Sequence, residues 1–333
     1  MNFKIAFDVN GNDKGVEASI KASLYFVKEN PNIEIILVGD KGQIDQFLSE
    51  KHPQISIIDN PNTVKFDENI RNMLREDTSM KEAINLVKNN QADAVITSGD
   101  SGSYLALCTF ILGRLEGISR PAFMPIMPTI KGKKFLLLDV GANLNTKSDF
   151  LIEWSIVANE YAKVLLNVEN PKVALLNIGT EDYKGLEIVR EANQKLMQTE
   201  NLNYIGFQEP RDILNYTTDI AVIDGYGGNL VLKSLEGAIL SFKDLIKQNI
   251  MKKTLRKIGY LFLKGAFKDV SETLDYRNVG AAWVIGLKKL AIKSHGSSDY
   301  KSYVGALNQI KLGLNKNLNQ KIVSSLNKLP STE

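Results

Sequence analysis

The stretch Ile96-Thr97-Ser98-Gly99-Asp100-Ser101-Gly102 shows the pattern that decides the fold: an apolar run, a small polar residue with glycine, then a helix-like segment. Such units build parallel α/β sheets, in which ligands bind beyond the carboxyl ends of the strands. Glycine permits close approach to a ligand, and helix N-termini attract anions. The pattern recurs at 7–11, 138–143, 176–181, 223–229 and 293–298. We therefore expect these turns to converge on a composite anion site built from strand ends.

Strand-length apolar runs alternate with helical periodicity along most of the chain. The runs fall near 3–8, 33–38, 55–59, 93–97, 121–126, 134–139, 173–177, 203–207, 219–223 and 290–293. Helical spacing covers 15–29, 79–90, 101–113, 148–167, 184–199 and 228–246. This alternation predicts an α/β protein with a largely parallel sheet and helices on both faces. The runs 121–126 and 134–139 are too close for a crossover helix, which predicts an antiparallel hairpin.

No low-complexity linker divides the 333 residues. We therefore expect one domain, 1–333, with a helical cationic excursion at about 240–275 before the final strand. The chain begins directly as a strand, without a secretory signal, and no apolar run reaches the roughly 20 residues of a membrane span. These features predict a cytoplasmic protein.

The few cysteines and histidines restrict the possible chemistry. Cys108 is the single cysteine, and His52 and His295 are the only histidines. An internal disulfide is excluded, and a zinc site made of His and Cys is close to excluded, because the chain has only three such ligands. Cys108 lies in an apolar run without a neighbouring cation, which favours a buried structural thiol over a nucleophile. The sequence predicts no metal.

Nucleotide-binding glycine motifs are not matched. The fingerprint G-x-G-x-x-G should follow the first strand, but Gly11 and Gly15 have the wrong spacing, and Gly225-Tyr226-Gly227-Gly228-Asn229-Leu230 lacks the last glycine. No G-x-x-x-x-G-K-[ST] motif occurs. We therefore expect neither nicotinamide nor P-loop chemistry, and no cofactor.

The turn at 177–185 is the richest candidate for anion binding. We expect Thr180 to cap the following helix, with Lys184 about one turn inside it, at the end that attracts anions. A lysine there can hold phosphate as a compact charge. The structural alternative is a capped helix that carries a solvated lysine.

Three further sets of residues are candidates with open roles. Asn229 follows a glycine-rich turn and could donate its amide to an oxyanion, or could simply cap a helix. His295 lies in a turn rich in hydroxyls, where a lone histidine is more often a satisfied hydrogen-bonding residue. Three aspartates end strands, where carboxylates also cap helices: Asp8, Asp139 and Asp224.

Basic charge is concentrated between Lys247 and Lys268. This segment holds seven cations and no acid, while the whole chain has a net charge of only +3. Apolar residues at 251, 255, 258 and 262 have helical spacing, which is typical of an amphipathic helix that binds an anionic lipid surface or an acidic partner. A solvated helix face over the core is the alternative. Nucleic acid is disfavoured, since no aromatic-rich recognition motif accompanies the charge.

At these residues the chain resembles the PlsX family, the bacterial phosphate acyltransferases. The resemblance covers nearly the whole length and departs from the family pattern at Val9–Asp13, at Asp100, at Leu74–Glu76 and at Lys288-Lys289. It rests on Gly39-Asp40, Asp77–Met80, Ser98–Gly102, Arg120-Pro121, Asp139–Asn143, Leu175–Glu181, Lys184-Gly185, Asp224-Gly225, Gly228-Asn229 and His295–Ser298.

The resemblance implies a three-layer α/β/α sandwich with a mostly parallel, mixed sheet, similar to phosphotransacetylases and isopropylmalate dehydrogenase. It implies a homodimer that associates peripherally with the membrane and transfers an acyl group from acyl carrier protein to inorganic phosphate. The acyl phosphate formed would enter phospholipid synthesis. Phosphate dianion is already a nucleophile, so the site needs a cradle and oxyanion donors rather than a strong base.

On this basis each candidate receives a role. Lys184 would hold phosphate or the thioester oxygen, and Asn229 would stabilise the oxyanion. A membrane or carrier contact is expected at Lys252, Lys253, Arg256 and Lys257. The substrate pocket would be lined by Asn10, Gly11, Asp13, Ser98, Gly99, Ser101, Asn143, Thr180, Glu181, Asp224, His295 and Ser297.

Two alternatives remain open at this stage. One is a phosphotransacylase that uses acyl-CoA or a short acyl group. The other is a non-catalytic adaptor at a lipid surface, which would show no phosphate-dependent thioester cleavage.

Overall fold

The apolar runs form an eleven-stranded mixed sheet in the computed structural model, which describes residues 2–48, 52–67, 69–274 and 281–326. Across the sheet the strand order is β3-β2-β1-β4-β11-β10-β5-β6-β9-β7-β8. The strands are β1 Phe3–Asp8, β2 Ile33–Gly39, β3 Ile55–Asp59, β4 Ala94–Thr97, β5 Ala122–Pro128, β6 Lys134–Leu138, β7 Lys172–Leu176, β8 Asn203–Gln208, β9 Ile220–Val222, β10 Ala281–Ile285 and β11 Leu290–Ser294.

Strand direction divides this sheet into two parallel halves. In the first half β3, β2, β1, β4 and β11 pair in parallel, and in the second half β6, β9, β7 and β8 do so. Between the halves, β10 is antiparallel to both β11 and β5, and β5 is antiparallel to β6. The second half therefore runs opposite to the first, and its carboxyl ends lie at the other edge of the sheet.

Helices cover both faces of the sheet, which confirms the three-layer α/β/α sandwich. A 3₁₀ helix spans Pro210–Asn215. The α-helices are α1 Glu17–Glu29, α2 Lys41–Phe47, α3 Ile70–Arg75, α4 Ser79–Lys88, α5 Ser101–Ile111, α6 Ser148–Leu165, α7 Glu187–Met197, α8 Gly225–Met251, α9 Thr254–Thr273, α10 Tyr300–Asn315 and α11 Leu318–Leu326.

Alternation along the strands assigns each side chain to one face. In β1, Ile5 and Phe7 pack with α1, α6, α7, α10 and α11, whereas Ala6 packs with α3, α4 and α5 on the second face. Farther along that second face, α8 packs through Leu232 on β6 and β9. Cys108 is fully buried in the layer formed by α3, α4 and α5, and burial raises the pKa of its thiol. The predicted structural thiol is thus located in the core.

Three sequence predictions about elements need correction. Strand β10 was not predicted. Helix α7 begins at Glu187 rather than near 184, because residues 180–186 form a turn. The excursion is not one continuous helix through 247–268: α8 ends at Met251 and α9 begins at Thr254. Its predicted end at residue 275 lies outside the described residues, as do residues 1 and 327–333 of the predicted domain. The hairpin of β5 and β6 is confirmed.

Candidate active site

A cavity of about 690 Å³ lies on the second face of the sheet, over the central antiparallel strands. The turns after β1, β4 and β11 form one side of it, and α8 together with the turn after β6 forms the other side. Both halves of the sheet therefore contribute to its walls. A crevice where the strand order changes is the usual ligand site of an open α/β sheet.

The polar end of the cavity is built by three turns that hold one another in place. The backbone N–H of Asp13 donates to the carbonyl of Gly296 at 2.9 Å, which joins the turns after β1 and β11. A Cβ on Gly11 would lie 2.7 Å from the Cα of Gly99, so the turns after β1 and β4 are in close contact. Gly11 also has φ +78°, a conformation that favours glycine. These turns form a rigid rim of backbone and hydroxyl groups.

His295 at this rim presents a neutral imidazole. The backbone N–H of Ser297 donates to its Nδ1 at 3.2 Å, so Nδ1 is an acceptor and the proton is on Nε2. Partial burial, with the charges of Lys233 and Lys293, lowers the pKa of His295. The side chain is thus suited to donate a hydrogen bond from Nε2 rather than to act as a cation.

Asn229 lies on the opposite side, as the fifth residue of α8. Its Nδ2 lies 3.5 Å from the position that a Cβ on Gly141 would take, so it borders the turn after β6. The start of α8 is fixed by tight packing: a Cβ on Gly228 would lie 1.8 Å from the carbonyl oxygen of Asp139. Within the described ranges the carboxamide of Asn229 makes no hydrogen bond. Its amide is therefore available to a ligand in the cavity.

An apolar wall continues from this polar end. Phe123, Pro125, Ile126 and Met127 of β5, together with Leu232 of α8, line it. The cavity thus combines polar groups at one end with a hydrocarbon surface at the other, which suits a ligand with an anionic or carbonyl head and an aliphatic tail.

The structure brings together eight of the fourteen predicted pocket residues. These eight line the cavity: Gly11, Asp13, Ser98, Gly99, Ser101, Asn229, His295 and Ser297. Three of the others use their side chains in hydrogen bonds that fix neighbouring turns: Asn10, Asn143 and Asp224. The Asn10 Nδ2 donates to the carbonyl of Asn60 and to Ser79 Oγ, each at 3.0 Å.

The other two lie around the start of α8. The Nδ2 of Asn143 donates to the carbonyl of Pro121 at 2.8 Å, and Asp224 caps α8 by accepting from the Gly227 N–H at 2.8 Å. These side chains position the turns that carry the site and do not line the cavity.

The remaining three predicted residues, Thr180, Glu181 and Lys184, lie in the turn after β7 and do not line the cavity. The expected convergence of all six turns is wrong: the other five contribute to the cavity, but the turn after β7 does not, because β6 and β9 separate β7 from the central strands. Thr180 does not cap α7, whose first residue is Glu187. The Lys184 Nζ is 2.7 Å from Glu181 Oε1 and is partly exposed. Any role of Lys184 in catalysis remains a prediction.

Lys293 is not among the predicted site residues, yet it lines the polar end of the cavity with only 8% of the residue exposed. The sequence does contain a signal for this residue, because a lysine is unusual in a strand of otherwise small and apolar residues such as Leu290-Ala291-Ile292-Lys293-Ser294. Asp139 was expected at a strand end, and it lies there fully buried. It accepts hydrogen bonds from the backbone of 123 and 141–143.

Comparison with known proteins gives the family. A model of the family described as fatty acid synthesis protein matches residues 3–321. A phosphate acyltransferase of Mycoplasmopsis agalactiae is 62% identical over 331 residues, covering 98% of this chain and 99% of its own. The chain belongs to the PlsX family of phosphate acyltransferases. A more distant family member, the phosphate acyltransferase of Halalkalibacterium halodurans, is 39% identical over 297 residues, covering 89% of this chain and 88% of its own.

Solved structures show the fold that this PlsX family chain shares. A phosphotransacetylase from Streptococcus pyogenes has a TM-score of 0.60 at 19% identity and covers 98% of this chain and 95% of its own. A branched-chain phosphotransacylase from Enterococcus faecalis has a TM-score of 0.57 at 16% identity, covering 94% and 99%. Within the described part of the chain, no helix is long and apolar enough to cross a membrane.

Proposed function

We propose that this chain transfers a fatty acyl group from the thioester of acyl carrier protein to inorganic phosphate. The products would be acyl phosphate for phospholipid synthesis and free carrier protein. The observation that supports this proposal best is the cavity, which combines a polar end made of three glycine turns with an apolar wall on β5. The names of the similar family members point the same way.

The reaction needs few groups from the protein. A phosphate oxygen attacks the thioester carbonyl carbon and forms the new C–O bond, while the carbonyl electron pair moves onto oxygen. Collapse of this tetrahedral oxyanion breaks the C–S bond and releases the carrier thiolate. Asn229 would donate its amide N–H to the oxyanion, since that amide has no partner in the described structure. The acyl chain would lie along Phe123 and Met127.

Lys184 keeps its proposed role of holding phosphate or the thioester oxygen. It would have to leave Glu181, whose carboxylate lies 2.7 Å from the lysine Nζ. A surface ion pair of this kind contributes little to stability, so breaking it costs little. Replacing Lys184 or Asn229 by alanine should each lower kcat by about 10²-fold, the scale of one lost oxyanion donor or charge.

One assay tests the reaction itself. The protein is incubated with acyl-acyl carrier protein, with and without phosphate, and acyl phosphate is measured. Phosphate-dependent cleavage supports the proposal, whereas faster turnover of acyl-CoA would indicate a different phosphotransacylase. No phosphate-dependent cleavage of either thioester would favour a non-catalytic adaptor. Well-folded Asn229→Ala protein with unchanged turnover would remove that residue from the mechanism.

We further propose that the hairpin of α8 and α9 docks on an anionic membrane. None of the described residues of α9 is buried, and Leu255 and Phe262 are 81% and 86% exposed. The proposed contact residues Lys252, Lys253, Arg256 and Lys257 lie at the tip, where α8 ends and α9 begins. Each cation near an anionic surface contributes about 1 kcal/mol, and buried apolar side chains add attraction that salt does not screen.

Charge reversal tests this surface. Changing those four cations to Glu should abolish sedimentation with anionic liposomes while the fold is retained. If the changed protein still binds such liposomes at low salt, the hairpin tip is not the contact. A homodimer is also proposed on the family resemblance, and sedimentation equilibrium of the full chain measures it. The same measurement on the charge-reversed protein shows whether the tip serves dimer packing instead.

A further inference from the structure

Lys293 is a buried ammonium that the reaction described above does not use. Strand register places it between Thr97 of β4 and Ala282 of β10, on the face that forms the cavity. Because Ala282 carries only a methyl group, the cavity reaches the sheet surface beside the lysine. The side chain therefore lies at the floor of the polar end, below the three glycine turns.

The charge of Lys293 is not neutralised by an ion pair. Within the described ranges no carboxylate oxygen lies within 4.0 Å of its Nζ, which donates to the carbonyl of its neighbour Ser294. An ammonium has three N–H donors, so two remain. Burial lowers the pKa of Lys293 to about 8, which leaves the group charged at neutral pH. A buried charge without a close partner destabilises a protein, so its presence in a cavity indicates a binding role.

Nearby acids offset this charge from a distance, and two of the three are engaged elsewhere. Asp8 accepts hydrogen bonds from Ser79 Oγ at 2.7 Å and from Thr97 Oγ1 at 2.6 Å. Asp100 caps α5 by accepting from the backbone N–H of Ser103 at 2.7 Å. Asp13 is the third acid that acts on Lys293, and it lines the same cavity. The lysine is thus kept charged while its free N–H groups still face the cavity.

We propose that Lys293 binds the attacking phosphate through its two free N–H groups at the floor of the cavity. This inference rests on the proposed function and assigns the nucleophile to Lys293, which leaves the thioester oxygen to Lys184. Phosphate held there would lie below the rim that carries Ser101 and His295, on the side of the cavity opposite Asn229. The ammonium would neutralise a phosphate charge without any metal ion.

The test compares Lys293→Met, which removes the charge and retains much of the volume, with Lys289→Met. Lys289 precedes β11 at its other end and donates to Asn90 Oδ1 at 2.6 Å, far from the cavity floor. At saturating acyl-acyl carrier protein, Lys293→Met should lower kcat/KM for phosphate by about 10²-fold, the scale of a lost charge clamp, and Lys289→Met should not. Lys293→Arg retains the charge and should recover part of the loss.

Thermal unfolding separates binding from a structural role. Inorganic phosphate, compared with chloride at equal ionic strength, should raise the Tm of the wild-type protein and of Lys289→Met but not that of Lys293→Met. The Tm of Lys293→Met without phosphate should not fall, because an unpaired buried charge has been removed. A lower Tm together with an unchanged kcat/KM for phosphate would show a structural role and overturn the inference.

Failure of the inference and failure of the proposed function give different results. If Lys293→Met turns over as fast as the wild-type protein and depends on phosphate concentration in the same way, only the inference is refuted. No thioester cleavage, together with a phosphate-induced Tm shift that Lys293→Met loses, refutes the reaction and supports the anion site. No phosphate effect on the wild-type protein in either assay refutes both.

Discussion

Replacing Gly228 with alanine tests whether the start of α8 positions Asn229. The added Cβ would lie 1.8 Å from the carbonyl oxygen of Asp139, whereas real Cβ contacts essentially never fall below 3.0 Å. The helix start or the turn after β6 must therefore move by at least about 1 Å, and Asn229 is the next residue. A displacement of 1 Å in a catalytic geometry lowers the rate by about 10²-fold. We expect that loss in kcat for Gly228→Ala.

Gly237 provides a matched control in the same helix. A Cβ there meets no atom within 4 Å, and alanine is favoured over glycine in a helix interior by about 1 kcal/mol. Gly237→Ala should therefore keep full activity and unfold at a slightly higher temperature. The assay is phosphate-dependent acyl phosphate formation, with circular dichroism to confirm that both proteins fold. If Gly228→Ala protein folds and keeps the wild-type kcat, then the packing of α8 on Asp139 does not position the oxyanion donor Asn229, and the reasoning is refuted.

Three further predictions concern pH, metals and stability. Burial lowers the pKa of Lys293 to about 8, against the opposing charges of Asp100, Asp8 and Asp13, so the side chain is a charged ammonium below that pH and a neutral amine above it. kcat/KM for phosphate should thus fall about tenfold per unit above pH 8, and should not fall there in Lys293→Met. Activity should survive chelator treatment without added cofactor, and a strict divalent-metal requirement measured after dialysis would contradict this. Asp139→Asn should lower the free energy of unfolding in urea by about 3 kcal/mol, because an NH₂ group would face buried N–H donors; an unchanged midpoint would contradict it.

The elements of the fold were largely predictable, because local periodicity determines them. Strand-like runs and helical spacing located ten of the eleven strands described here. The missing strand, β10, has the sequence Ala281-Ala282-Trp283-Val284-Ile285. It follows the cationic excursion directly and pairs antiparallel to two neighbours. A short strand of this kind has no crossover helix after it, so the alternation of strand and helix does not reveal it.

The candidate site was predictable only in part, because strand direction is a tertiary property. The turns after β1, β4 and β11 were expected to lie side by side, and they do, because these strands are consecutive and parallel in the sheet. The turn at 177–185 was expected with them and lies elsewhere. Lys293 was overlooked because its burial depends on which strands flank it. Its apolar strand marks the lysine as unusual, but only the flanking strands decide that it lies at a cavity floor and not at a surface edge.

The hairpin of β5 and β6 sets the directions of the two halves of the sheet. An antiparallel hairpin reverses the direction of the chain, so each later strand that pairs in parallel with β6 also points to the opposite edge. The turn after β6 still borders the cavity, whereas β6 and β9 separate the turn after β7 from the central strands. Helix α8 follows β9 of the reversed half, and its start, packed beside the turn after β6, brings Asn229 to the cavity. The cavity therefore lies between oppositely directed halves, with Lys293 supplied by one and Asn229 by the other. The residue proposed to hold phosphate, Lys293, and the proposed oxyanion donor, Asn229, would therefore lie on opposite sides of the bound substrates. Acyl transfer between two bound partners requires such an arrangement.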